Sequence, residues 1–220
     1  MGYCLQVSPT RPAWCVLLLA CFISTVAALE LSSRLLSYVQ EKYGNEARTR
    51  LEQWEQLTRM ARHAPIDRKL QLVNSFFNRI PFVSDLEHWG QEDYWATPVE
   101  LLVTNGGDCE DYSIAKYVTL RAMGVPDDQL RITYVKALEL NQAHMVLAWY
   151  ETPDSEPLIL DNLINEIRPA SRRPDLEPVY SFNGEGLWLN RMDGQSRLVG
   201  DPTRLSRWMD LNERLVDTLR

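Results

Sequence analysis

The sequence contains no run of about 18 or more apolar residues, the length a helix needs to cross a bilayer, so a bundle of membrane-spanning helices is excluded. It is short of basic residues: 23 Lys and Arg stand against 30 Asp and Glu, a formal net charge of −7. Nucleic-acid binding needs clustered cations against the phosphate backbone, and that balance argues against it. No internal repeat, low-complexity tract or long linker is present, so the 220 residues read as one ordinary domain. With 45% hydrophobic and 24% charged residues, the chain has the composition of a globular protein and not of a disordered one. Cysteine is scarce and unevenly placed: Cys4, Cys15 and Cys21 lie in the first 28 residues, and Cys109 stands alone in the rest. No disulfide framework and no His/Cys zinc cluster can be built from that set.

The first 28 residues differ from the remainder. Arg11 precedes an apolar stretch from Trp14 to Ile23, and small residues follow through Thr25-Val26-Ala27-Ala28. This is the pattern of a secretory signal cut after Ala27 or Ala28, which leaves residues 29–220 as a single mature domain. An uncleaved anchor is the other reading of the stretch. Lipidation at Cys21 is a third, for which Leu19 is a poor fit. Removal of the segment takes one Arg and no acid, leaving 22 basic and 30 acidic residues, net −8. In an exported, oxidising compartment a lone Cys109 is buried, cross-linked to another chain, or kept as a reactive thiol.

The spacing of apolar residues predicts helices first and strands later. Leu29 to His63 reads as one or two amphipathic helices broken near Gly44-Asn45, and Asp67 to Arg79 as another ahead of Pro81. Thr97-Pro98-Val99-Glu100 is a helix start with an N-cap, a proline at the first position and a capping box. That helix ends at Asn105-Gly106-Gly107, and a new one runs from about Asp108 to Met123, ahead of Gly124 and Pro126. Arg131–Leu138, Ala143–Thr152, Leu158–Leu163, Val179–Phe182 and Gly186–Asn190 then read as strands, and Leu205–Leu219 as a closing helix. The expected class is α+β, with helices followed by a largely antiparallel meander.

The chemistry concentrates at Asn105-Gly106-Gly107-Asp108-Cys109-Glu110-Asp111-Tyr112. Two glycines permit a tight turn and a close backbone approach to a ligand. Cys109 follows at the first turn of a helix, where unpaired N–H groups favour a thiolate and can hold an oxyanion. His144 on a following strand is available as a base, and Asp161 on the next can fix its tautomer. Each has a plainer reading as well: a small buried cysteine, a satisfied core histidine and a turn-opening aspartate. Their conjunction, with no disulfide partner for the cysteine, favours catalysis. Asp108, Glu110 and Asp111 crowd the cysteine with negative charge, which raises a thiol pKa. First-turn acids cap helices, but three beside a nucleophile are more than capping needs. A hard cation held by these carboxylates cancels the charge, and oxygen-only ligands suit Ca²⁺.

At N-G-G-D-C-E-D-Y (105–112), A-H-M-V-L (143–147) and L-D-N-L (160–163) the chain resembles the bacterial transglutaminase-like cysteine proteinases, within them the LapG-type periplasmic adhesin proteases. Asp93-Tyr94-Trp95-Ala96-Thr97-Pro98 fits the same pattern. The resemblance implies a papain-like, transglutaminase-like core with N-terminal helices and the nucleophile helix packed on an antiparallel sheet. It implies Cys109 as nucleophile, His144 as base and then acid, and Asp161 as the group that orients the imidazole. Asp108, Glu110 and Asp111 become Ca²⁺ ligands. The implied substrate is a large surface adhesin, cut near its N-terminus at an Ala-Ala-containing site to release cells from a biofilm. The implied regulator is the periplasmic domain of an inner-membrane cyclic di-GMP receptor. Trp89, Trp95 and Trp188 are aromatic candidates for the cleft wall. Three rivals share parts of this pattern: an exported transglutaminase, a peptidoglycan amidase or endopeptidase, and a catalytically silent, calcium-dependent interaction module of the cell envelope.

Overall fold

A computed structural model describes residues 29–190 and 196–219. The signal-segment reading of residues 1–28 lies outside the described residues. Among the described residues no helix is long and apolar enough to cross a membrane.

The helical half forms where the sequence predicts it. Helix α1 (Ser33–Tyr43) starts at Ser32, whose hydroxyl accepts from Leu35 N–H at 3.1 Å, and stops at Gly44 with φ 89°, a conformation that costs other residues energy. α2 (Asn45–Ala61) buries Leu51 and Trp54, and the Trp54 indole donates to Thr119 Oγ1 at 2.8 Å. α3 (Ile66–Phe77) packs Leu70, Val73 and Phe77 inward. A short α4 (Asp85–Trp89) has no apolar periodicity and was not foreseen. α5 (Pro98–Thr104) carries the expected capping box: Thr97 Oγ1 accepts from Glu100 N–H at 3.2 Å, and Glu100 accepts from Thr97 N–H at 2.7 Å.

α6 (Cys109–Ala122) is the central element. Its Ile114, Ala115 and Leu120 are buried, and so are polar residues on its other faces, among them Asp111, Ser113, Lys116 and Thr119. A helix with no solvated stripe is one surrounded by protein.

The strands are β1 (Leu130–Ala137), β2 (Gln142–Trp149), β3 (Leu158–Leu160), β4 (Arg168–Pro169), β5 (Leu176–Phe182), β6 (Leu187–Asn190) and β7 (Ser196–Gly200), with α7 (Ser206–Leu219) after them. Every pairing is antiparallel, in the order β4-β3-β2-β1-β5-β6-β7. This corrects the single meander. The chain runs from β1 to one edge, and β5 then returns to the open side of β1 to start a second meander. β1 suits the centre because nearly all its residues are buried, on both faces. β4 and β7 escaped the sequence reading because they are too short or too polar to show a period of two.

Met145, Leu147 and Leu160 face the main core with α6, whereas Val135, Val146, Ala148 and Ile159 form a second apolar cluster. β3 pairs with β2 only from Leu147 to Trp149. The His144–Val146 stretch of β2 is therefore left without a neighbour on that side, and this opening is where the start of α6 meets the sheet.

Candidate active site

Asn105, at φ 55°, makes the left-handed turn that ends α5, and so the two glycines after it are not required for the turn itself. Their role is room. A Cβ on Gly107 would lie 2.6 Å from both Asp111 Oδ2 and Leu101 Cδ1, and one on Gly106 would press on Val83 and His88. The space beside both glycines is thus filled by the protein, which corrects the expectation that they open the backbone to a ligand. Gly107 O also accepts from Val83 N–H at 2.9 Å, tying the loop to the segment before α4.

Asp108 then caps α6 and Cys109 is its first residue. The Cys109 thiol donates to Glu110 Oε2 at 3.0 Å, and the Met145 N–H on the unpaired stretch of β2 faces the sulfur. Burial pushes the thiol well above its usual pKa, Glu110 and Asp108 push it further, and the Met145 N–H pulls the other way. The thiolate that a helix N-terminus favours is therefore opposed by the acids around it.

His144 and Asp161 meet directly. His144 Nε2 lies 2.8 Å from Asp161 Oδ1, with both residues buried. Asp161 Oδ1 also accepts from Leu163 N–H at 3.0 Å, and Oδ2 from Arg173 Nη2 at 2.7 Å. Burial alone raises the pKa of this carboxyl. Its bonds with His144, Leu163 and Arg173 outweigh that and hold it down at about 2. An ionised carboxylate only accepts, so Nε2 carries a proton, and in the neutral imidazole Nδ1 is the nitrogen with the lone pair. Nδ1 has no hydrogen-bond partner among the described residues. The thiol bonds Glu110 and not the imidazole, although its β2 contact, Met145, is the next residue after His144.

The acidic residues form two overlapping groups. Asp108, Cys109 and Glu110 offer ligand atoms within 4.8 Å of one another, and so do Asp85, Asp108 and Asp111. Asp85 is not a candidate from the sequence, because it is far from the 105–112 loop along the chain and lies in a stretch that shows no apolar periodicity. Burial, with Asp108 beside it, pushes Asp85 up to about 6. Burial and the Glu110 charge push Asp108 up to about 8. Glu110 and Asp111 are also raised, chiefly by burial. Asp111 is the most enclosed: its oxygens accept from Ala96 N–H at 2.7 Å and Asp108 N–H at 3.2 Å. Asp85 Oδ1 and Asp108 Oδ1 are buried with no partner among the described residues. Converging carboxylates that form no salt bridge among the described residues, two of their oxygens orphaned, suit a hard divalent ion with oxygen ligands.

The aromatic candidates divide. Trp95 is buried and stacks on Phe182 at 5.5 Å between centroids, so it belongs to the core and not to a cleft wall. Trp188 lies 4.3 Å from the Arg131 guanidinium, and Trp89 packs on Tyr94.

Residues 37–175 match the model of the bacterial transglutaminase-like cysteine proteinase family. The chain belongs to that family. LapG of Legionella pneumophila, in EGTA-treated form, is 48% identical over 86% of this chain and 100% of its own, with a TM-score of 0.74. A second structure of that LapG gives 48% identity, 86% and 98% coverage and a TM-score of 0.74. The calcium-bound form gives 46%, with 86% and 99% coverage and a TM-score of 0.73. No curated protein matches. The family and these structures make the chain a cysteine protease with a transglutaminase-like fold.

Proposed function

We propose that this cysteine protease is a calcium-dependent periplasmic endopeptidase with a Cys109–His144–Asp161 triad. Its substrate is the N-terminal region of a large surface adhesin, cut at an Ala-Ala-containing site. The observation that carries the triad is the buried His144–Asp161 pair at 2.8 Å, whose free Nδ1 is one residue from the strand amide that faces the Cys109 sulfur. The periplasmic location rests on the signal-like residues 1–28. The adhesin, the biofilm role and restraint by a cyclic di-GMP receptor rest on the likeness to LapG.

Asp161 holds the proton on Nε2, so Nδ1 takes the proton of the Cys109 thiol. The thiolate attacks the scissile carbonyl, and N–H groups at the start of α6 hold the oxyanion. His144 returns its proton to the leaving amine as the C–N bond breaks and a thioester forms. His144 then takes a proton from water, whose oxygen attacks the thioester and frees the acid product and the thiol. Asp108, Glu110, Asp111 and Asp85 are the residues suited to hold Ca²⁺, and a calcium-bound form of the Legionella protein supports calcium as the ion. When bound, the ion supplies positive charge that offsets the carboxylates around the thiol. Glu110 held as a ligand would leave the thiol proton to His144.

The test follows cleavage of the N-terminal segment of a co-encoded adhesin with Ca²⁺, with EGTA and with Cys109→Ala. Cleavage in Ca²⁺ alone, absent in EGTA and in the variant, is the expected result. Cleavage surviving in Cys109→Ala overturns the nucleophile, and undiminished cleavage in EGTA overturns the calcium requirement.

A further inference from the structure

Helix α7 presents Arg207 and Arg214, two turns apart and so on one face, to the irregular segment at 93–97. Arg207 Nε donates to Asp93 O at 3.0 Å, and Arg214 Nη2 donates to Trp95 O at 2.6 Å. The N–H groups of the same two peptide units point the opposite way, as a trans peptide requires. Tyr94 N–H donates to Asp85 Oδ2, and Ala96 N–H donates to Asp111 Oδ1 at 2.7 Å. Two planar peptide groups thus each join an arginine of α7 to a carboxylate of the acidic cluster.

The segment is held in place by more than these four bonds. Asp93 adopts φ 59°, in the left-handed region that side chains disfavour. Its Oδ1 accepts from the Trp95 indole at 2.8 Å, and its Oδ2 pairs with Arg207 Nη2 at 2.8 Å. Arg214 Nη1 donates to Tyr94 Oη at 3.0 Å and to Glu100 Oε2 at 2.6 Å. The two arginines pair with Asp93, Glu100 and Asp210, and among the described residues they form no salt bridge with Asp85, Asp108, Glu110 or Asp111. The cluster is therefore oriented without being neutralised. A backbone N–H fixes one oxygen of Asp85 and leaves its buried Oδ1 unmatched among the described residues. A guanidinium on each carbonyl also polarises that peptide and strengthens the N–H on its far side.

We infer that Arg207 and Arg214 are positioning residues for the divalent ion. Through the 93–94 and 95–96 peptides they hold Asp85 and Asp111 in the orientation that ligation needs. Ion binding and the docking of α7 on segment 93–97 then support one another. This role rests on the calcium reading of the acidic cluster and on no step of the cleavage.

Calorimetric titration of the purified protein with Ca²⁺ tests this, together with amide hydrogen exchange at Tyr94 and Ala96 in EGTA and urea unfolding with and without the ion. Arg214→Gln is expected to weaken Ca²⁺ binding about ten-fold, and Arg207→Gln, at an exposed side chain, by less. Each variant should speed exchange at its own peptide, Ala96 for Arg214 and Tyr94 for Arg207. Each should also lose more stability in saturating Ca²⁺ than in EGTA, because weaker binding to the folded state lowers the stabilisation the ion gives. Asp210→Asn frees only Nε of Arg214 and should bind Ca²⁺ as the parent does. Should Arg214→Gln not fold, Arg207→Gln carries the same test from the exposed end. Unchanged affinity in the arginine variants, equal destabilisation with and without Ca²⁺, or an equal loss of affinity in Asp210→Asn overturns the positioning role. Failure of the calcium reading looks different: the parent protein itself then binds no Ca²⁺, and this role falls with it.

Discussion

The two halves of the site are built on opposite electrostatic plans. On the sheet side Asp161 is buried, yet each oxygen is matched, by His144 and Leu163 on one and Arg173 on the other. On the helix side Asp85, Asp108, Glu110 and Asp111 are crowded together, with two carboxylate oxygens unmatched among the described residues. The first arrangement is complete within the chain and keeps its carboxylate ionised. The second stores repulsion that either protons or an added cation must relieve. A site split in this way has its base permanently set and its nucleophile conditional, because the thiol lies on the unsatisfied side.

Breaking the complete side should have the largest effect. Asp161→Asn removes the group that sets the imidazole tautomer and should lower kcat roughly 10³-fold. It also strips a buried partner from Arg173, at a cost of about 3 kcal/mol in chemical denaturation. Retention of near-normal kcat would place the orienting role elsewhere.

The unsatisfied side should respond with the opposite sign. Asp108→Asn relieves repulsion, so in EGTA its melting temperature is expected to exceed that of the parent protein. The rise in melting temperature on adding Ca²⁺ should be largely lost. Differential scanning calorimetry with and without the ion checks both expectations. A variant less stable in EGTA would remove the case for stored repulsion.

Acidity sharpens the same contrast. Asp161 is held at about 2, below the ordinary value near 4, so its contribution is present above about pH 4 and lost as pH falls through 2. Asp108 is raised to about 8, so in EGTA the folded state keeps a proton that the unfolded chain loses near pH 4. Stability from that group therefore falls as pH rises from about 4 to 8. Urea titrations in EGTA should show this decline, and saturating Ca²⁺ should flatten it. A flat profile in EGTA would mean that the carboxylates find relief within the chain.

The smallest expected change is at Gly107→Ala. The added methyl meets Asp111 Oδ2 and Leu101 at 2.6 Å, and the strain should cost about 1–3 kcal/mol. Because Asp111 must move, the Ca²⁺-dependent rise in melting temperature should shrink as well. A variant equally stable and equally responsive to Ca²⁺ would separate the glycine from the acidic cluster.

Much of this could be read from local patterns. The capping box at Thr97, the break at Gly44 and the strands at 130–137 and 142–149 depend on neighbours a few residues away, and they stand where periodicity puts them. Cys109, His144 and Asp161 are legible as chemically apt residues at a helix start, on a strand and at the end of the next, although β3 stops at Leu160 and leaves Asp161 just beyond it. Asp85 and Arg173 are not, since an acid in a polar stretch and an arginine after a turn are common and carry no signal of what they face. The second meander was hidden for a related reason: whether β5 pairs with β4 or returns to β1 is a choice between edges, and alternation within a strand is the same for both.

Composition and short-range spacing fix the class of the domain, the helix that presents Cys109 and the acidic character of its first turn. The division of the acids into two groups joined by Asp108, the place of Asp85 in one of them and the bracing of Asp161 by Arg173 arise from long-range packing. The same packing bonds the thiol to Glu110 and leaves His144 Nδ1 without a partner among the described residues. Burial and contact between residues distant along the chain set those partners, and they depend on how α6 meets the unpaired stretch of β2.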